Sequence, residues 1–139
     1  LVLERGGRAI FVDYLTLITH ENADLPRWEQ IAAISRSLKA LARELDIPIV
    51  ALSQLKREAE GKQPTLADLR ESGSIEQDAD LIIFLHRDRE TSKTYDSQTD
   101  QIETDIIVAK QRNGPTGKAP VWFKSSYAKF VNMERRDRT

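Results

Sequence analysis

The spacing of apolar residues changes several times along the chain, and each change predicts an element. Behind Gly6-Gly7, the stretch from Arg8 to Asp13 is a short apolar run ending in a carboxylate, the pattern of a buried strand. From Leu25 to Leu45 the apolar positions Ile31, Ile34, Leu38, Leu41 and Leu45 step by three and four, which predicts a helix with one apolar face. Asp24 is placed to cap that helix and Pro26 to sit in its first turn. Asp46 breaks the pattern, and Ile47 to Leu52 is again continuously apolar, with Pro48 near its start where a strand tolerates it. Strand, helix, strand in this order predicts parallel strands joined by a right-handed crossover.

Residues 54 to 80 are polar and mixed, punctuated by Gly61, Pro64 and Gly73, and predict a long loop with a short helix on either side of Ser72-Gly73-Ser74. Loops of this length in a small domain commonly carry function. Leu81 to His86 and Thr104 to Ala109 predict a third and a fourth strand, separated by a polar, flexible stretch from Arg87 to Gln101. Val121 to Lys124 and Lys129 to Met133 alternate around Ser125-Ser126, which predicts an antiparallel hairpin at the sheet edge. The class expected is therefore α/β, a mostly parallel sheet flanked by helices with a C-terminal antiparallel hairpin.

With 139 residues, 40% of them hydrophobic and 31% charged, the chain can bury one core, and residues 1–139 are expected to form a single globular domain. The formal net charge of -1 supplies no overall attraction for nucleic acid, so any such contact must come from locally arranged groups. The absence of cysteine excludes disulfides, thiol catalysis and Cys-ligated zinc, and is in keeping with a cytoplasmic protein. The longest apolar runs fall far short of the roughly 20 residues of a membrane span, so no membrane is expected among its partners. His20 and His86 lie too far apart in sequence to suggest a metal pair. The opening Leu-Val-Leu-Glu-Arg before Gly6-Gly7 starts partway through a helix-like segment, and the chain reads as an excerpt of something longer, truncated on its N-terminal side.

Three clusters could carry chemistry. Asp13 ends a strand at the edge of an open α/β sheet, where a carboxylate can hold a hydrated magnesium ion against nucleotide phosphates; capping the next turn is an equal alternative. Gln54 holds the matching place after the second strand, where an amide can sense a terminal phosphate or simply face solvent. Lys110 and Arg112 precede the turn Gly114-Pro115-Thr116-Gly117, and a planar guanidinium suits the charge spread over a transferring phosphoryl group; a solvated basic turn is the alternative. In the long loop, Arg70, Glu71 and Gly73 bring together a cation and a glycine whose backbone N–H can approach a phosphate closely, or else mark ordinary helix ends.

Four blocks make a more specific case: Ile34-Ser-Arg-Ser-Leu-Lys-Ala-Leu-Ala42, Val50-Ala-Leu-Ser-Gln-Leu55, Asp68-Leu-Arg-Glu-Ser-Gly-Ser-Ile-Glu-Gln-Asp-Ala-Asp-Leu81 and Ala109-Lys-Gln-Arg-Asn-Gly-Pro115. In this order they resemble the DnaB-type replicative DNA helicases across nearly the whole chain. The resemblance implies a RecA-like core whose subunits form a homohexamer around single-stranded DNA and move 5′ to 3′ with ATP and Mg2+. It implies that Asp13 is the Walker B aspartate holding magnesium through water, and that Gln54 is the γ-phosphate sensor. Lys110 and Arg112 become the pair reaching into the neighbouring subunit's nucleotide site, with Arg112 as the arginine finger, and Arg70, Glu71 and Gly73 become DNA contacts. Primase and a helicase loader are the partners implied, through regions partly outside this chain.

The chain departs from the family's pattern in three places. Thr16 stands where the family usually has glutamine, and the loop from Lys56 to Pro64 is shorter than usual. The phosphate-gripping G-x-x-x-x-G-K-[ST] loop is missing, since Gly61-Lys62 is followed by Gln63 and Gly117-Lys118 by Ala119. The family places that loop upstream of the Walker B strand, so this chain alone is expected neither to bind ATP tightly nor to hydrolyse it. Two alternatives stay open: a RecA-like ATPase of recombination or loading, and an interaction module that works without nucleotide.

Overall fold

The structure, a computed structural model, describes residues 6–20, 24–55, 62–87 and 100–133. The helix-like start at Leu1 to Arg5, and residues 88–99 of the stretch expected to be flexible, lie outside the described residues. The chain divides into two compact units, Leu1–Lys56 with Leu66–Ala79, and Arg57–Thr65 with Asp80–Thr139.

The first unit is a strand–helix–strand crossover followed by two short helical segments. Strand β1 (Ile10–Val12) pairs in parallel with β2 (Ile49–Ala51), Ile10 opposite Ile49 and Val12 opposite Ala51. The pairing continues past both strand ends, because Leu52 N–H donates to the Val12 carbonyl (2.9 Å) and Leu15 N–H donates to the Leu52 carbonyl (2.9 Å). Helix α1 (Arg27–Leu45) joins the strands and buries Ile31 and Ile34. Each contributes on the order of 1.5–3 kcal/mol through removal from water. The other end of the predicted stripe is less covered: Leu41 is 37% exposed.

Both ends of α1 show local physics at work. The capping position expected for Asp24 is occupied by Pro26, whose extended backbone (φ -53, ψ 144) directs the chain into the helix. Proline offers no side-chain acceptor, and the entry is tied down instead by Gln30 Nε2 donating to the Leu25 carbonyl (2.7 Å) and by Arg27 Nη2 donating to the Thr16 carbonyl. At the far end Asp46 adopts a left-handed conformation (φ 51), and Ile47 N–H donates back to the Ala42 carbonyl (3.2 Å), a closure that stops the helix and turns the chain into β2. A 3-10 segment (Leu66–Ser72) then meets helix α2 (Gly73–Asp78) at Gly73, the pair of short helices that the Ser-Gly-Ser punctuation predicted. Ser35 of α1 donates to Asp78 of α2 (2.8 Å), joining the two helices.

The second unit is a four-stranded antiparallel sheet in the order β3 (Leu81–His86), β4 (Gln101–Gln111), β5 (Gly117–Lys124), β6 (Lys129–Asn132). The antiparallel part is larger than the terminal hairpin, because β4 is long enough to pair with β5 along its first eight positions and with β3 along its last seven. Along β3 burial alternates: Ile82 and Phe84 are buried, while Leu81, Ile83 and Leu85 are about half exposed. Phe123 and Phe130 pack across β5 and β6 with ring centroids 4.9 Å apart. The hairpin turn Ser125–Tyr127 is held by the carboxylate of Asp100, which accepts from the Ser125 hydroxyl and from the Ser126 N–H (2.7 Å).

Candidate functional site

In the first unit, the direction of the strands decides where Asp13 and Gln54 lie. Because β1 and β2 are parallel and in register, both chains leave the pair at the same, C-terminal end: Asp13 follows Val12 immediately, and Gln54 comes three residues after Ala51. Both are exposed. A carboxylate and an amide at one sheet end are placed where open α/β sheets take ligands. Thr16, in the 3-10 turn Leu15–Leu17, has an exposed side chain, and its carbonyl receives Arg27. Gly73 is exposed at the N-terminal residue of α2, and no atom lies within 4 Å of where its Cβ would stand, so the backbone there is open to close approach. Arg70 and Glu71 belong to the 3-10 segment that leads into it, and their side chains lie outside what the structure describes.

In the second unit, Lys110 and Arg112 sit where β4 outruns β5. The last β4–β5 pair is Val108 with Gly117, so Ala109 to Thr116 project beyond that ladder and are braced on one side only, by β3. The bracing strand meets them through a bulge: Ile83 pairs with Val108 but Ile82 pairs with Lys110, leaving Ala109 as the extra residue. A bulge of this kind re-aims the residues beyond it, since a shift of one position exchanges the two faces of a strand. Lys110 is thereby placed opposite buried Ile82 and is itself half-buried.

Arg112 is the first residue past β4, and its placement is shared with Asp80, immediately before β3. Arg112 N–H donates to the Asp80 carbonyl (2.8 Å), and Arg112 Nε lies 3.4 Å from Asp80 Oδ1. In the turn that follows, a Cβ on Gly114 would stand 2.7 Å from the side-chain amide of Gln111, so that side chain folds closely over the turn backbone. Asp80 and Gln111 went unremarked in the sequence because neither partnership is local in chain order or marked by residue type. The only cue was the presence of Asp80 within the Asp68 to Leu81 block.

Among the described residues no three His, Asp or Glu side chains gather into a ready-made metal site. What Asp13 offers is a single exposed carboxylate with room for water, which suits magnesium, an ion that keeps most of its hydration shell. No helix among the described residues is long and apolar enough to cross a membrane.

The sequence profile of the DnaB-like helicase C terminal domain matches residues 2–132. The chain belongs to this family. Over 131 residues it is 59% identical to the replicative DNA helicase DnaB of Treponema pallidum (strain Nichols), covering 94% of this chain and 28% of that relative. To the replicative DNA helicase DnaB of Geobacillus stearothermophilus it is 51% identical over 137 residues, 96% of this chain and 30% of the relative. A DnaB-like replicative helicase, solved in a study of its interactions with primase, superposes with a TM-score of 0.80 at 45% identity, over 91% of this chain and 30% of its own. A second solved structure, of an isolated ATPase domain, gives the same TM-score and identity over 91% of this chain and 44% of that one. The RecA-like α/β class expected from the sequence is the fold shared with these neighbours. The chain spans less than a third of the length of the curated DnaB relatives it matches.

Proposed function

We propose that this DnaB-family chain is the part of an ATP-driven replicative helicase that senses nucleotide, grips single-stranded DNA and completes a neighbouring protomer's ATP site. The whole protein would unwind duplex DNA 5′ to 3′ at the replication fork, as a homohexamer in the cytoplasm, with primase and a loader as partners. The observation that carries this proposal is the parallel register of β1 and β2, which sends a carboxylate and an amide out of the same sheet end. No observation favours a recombination or loader ATPase, or a module that works without nucleotide.

Each residue then has a distinct task. Asp13 would hold hydrated Mg2+ through its carboxylate. The magnesium-bound ATP would supply the transferable phosphoryl group together with a counter-charge for it. Gln54 can donate an N–H to a terminal phosphate oxygen and accept from a water, two bonds whose pattern differs between a triphosphate and a diphosphate. Lys110 and Arg112 act in trans: the lysine as a point charge, the arginine as a planar fork matched to the oxygens of the phosphoryl group. Arg70, Glu71 and the open backbone at Gly73 would track the DNA phosphates, which position a strand without reading its bases.

In the full-length helicase, Arg112→Ala should leave nucleotide binding in place and lower ATP turnover by about 10³-fold, the usual worth of an arginine finger. Steady-state hydrolysis beside a fluorescent-nucleotide titration separates the two, and unchanged turnover would remove Arg112 from its role. Arg70→Ala should weaken single-strand binding evenly across sequences and reduce the slope of log affinity against log salt by about 0.7, one phosphate contact. A loss confined to one base composition would contradict that assignment.

A further inference from the structure

We propose that Asp80 is the positioning residue of Arg112, setting both where the guanidinium side chain starts and which way its planar fork faces. Asp80 matters in this way only if Arg112 completes a nucleotide site, as proposed above. Two contacts from one residue carry the inference. The Asp80 carbonyl accepts the Arg112 N–H (2.8 Å), which anchors the backbone of a residue otherwise beyond the end of its strand. The Asp80 carboxylate lies 3.4 Å from Arg112 Nε, the nitrogen that joins the fork to its stem, so it bears on the torsion that turns the guanidinium plane.

The need for such a residue follows from where Arg112 sits. It begins an arm that β5 no longer supports, and a long side chain on a projecting arm samples many orientations. A group that stabilises a transferring phosphoryl must arrive in the right orientation, because misplacement by about 1 Å can cost on the order of 10²-fold in rate. Asp80 is well chosen for this, since it directly precedes β3, the one strand that still pairs with the end of β4. The pair is also open to solvent, with side chains 47% and 57% exposed. An ion pair of that exposure adds little to folding stability, so its loss should be read in catalysis. It is likewise loose enough for the guanidinium to meet a phosphate without breaking a buried interaction.

The test uses the full-length hexameric helicase, with steady-state ATP hydrolysis resolved into kcat and KM for Asp80→Ala, Asp80→Asn, Asp80→Glu, Arg112→Ala and the Asp80→Ala/Arg112→Ala double variant. Asp80→Ala should lower kcat by about 10- to 100-fold with KM essentially unchanged. Asp80→Asn, which keeps an oxygen acceptor but no charge, should fall between it and the parent protein. Asp80→Glu should recover part of the loss. The double variant should turn over no more slowly than Arg112→Ala alone, because a positioning residue has nothing left to position. Parent-like kcat in Asp80→Ala, or a double variant slowed by the product of the two single effects, overturns the role of Asp80 while leaving Arg112 in place. Parent-like kcat in Arg112→Ala overturns the finger itself and Asp80 with it. If Asp80→Ala does not assemble, Asp80→Asn and Asp80→Glu decide: parent-like kcat in both counts against Asp80, and a graded loss at constant KM supports it.

Discussion

The parallel pair β1–β2 and the antiparallel sheet β3–β6 both present polar groups just past the end of a strand, but they place them by different means. In the parallel pair each strand has only three residues, and Asp13 and Gln54 emerge together because a crossover makes both strands run the same way. Direction alone does the work, and no contact between the two side chains is required. In the antiparallel sheet, neighbouring strands end at opposite edges, so a residue such as Arg112 gets no help from strand direction. Its place comes from register: the bulge at Ala109, the overrun of β4 past β5, and the contacts from Asp80. Convergence by direction tolerates small shifts along a strand, whereas convergence by register changes face with a single-residue slip.

The two units also differ in how their aromatic residues are covered, and substitutions can probe this. The largest effect is expected in the antiparallel sheet: Phe84 is 5% exposed on β3, and Phe84→Ala should cost about 3–5 kcal/mol, seen as a lowered urea midpoint of the 139-residue chain. An intermediate effect is expected where α1 meets α2. Ser35→Ala removes the donor to Asp78 and should cost about 1 kcal/mol by the same measurement, with Ser35→Thr restoring most of it. A cost near zero would mean that the two helices are held by packing alone. The smallest effect is expected on β1, where Phe11 is 73% exposed and Phe11→Ala should change stability by no more than about 0.5 kcal/mol. Were Phe11→Ala to cost as much as Phe84→Ala, that face of the parallel pair would be covered in solution and the contrast between the units would fall.

Much of the fold is legible in residue pattern. The three-and-four spacing from Ile31 to Leu45 marks α1, Asp46 marks its end, and Ser72-Gly73-Ser74 marks the junction of two short helices, because helix periodicity and termination act within a few residues. The helix start was misplaced by capping chemistry: Asp24 has the right side chain, but Pro26 occupies the boundary and the cap is made by Gln30 and Arg27 from inside the helix. Strand limits were less legible. The fourth strand runs from Gln101 rather than Thr104, since the polar residues at its start pair with Lys124, Phe123 and Trp122, partners that no local pattern reveals. Among the candidate residues, Asp13, Gln54, Lys110 and Arg112 could be named from strand-end position and family blocks, while Asp80 could not.

The order of the elements, the amphipathic helix and the identity of the groups that could meet a phosphate were determined by sequence alone, because each depends on residue type and on neighbours within one or two turns of chain. Which strands pair, where β4 carries its extra residue and which carboxylate faces the Arg112 guanidinium were decided only by the tertiary structure. Those features depend on hydrogen bonds between segments some twenty to thirty residues apart, where a shift of one residue leaves the composition of every segment unchanged and alters every face.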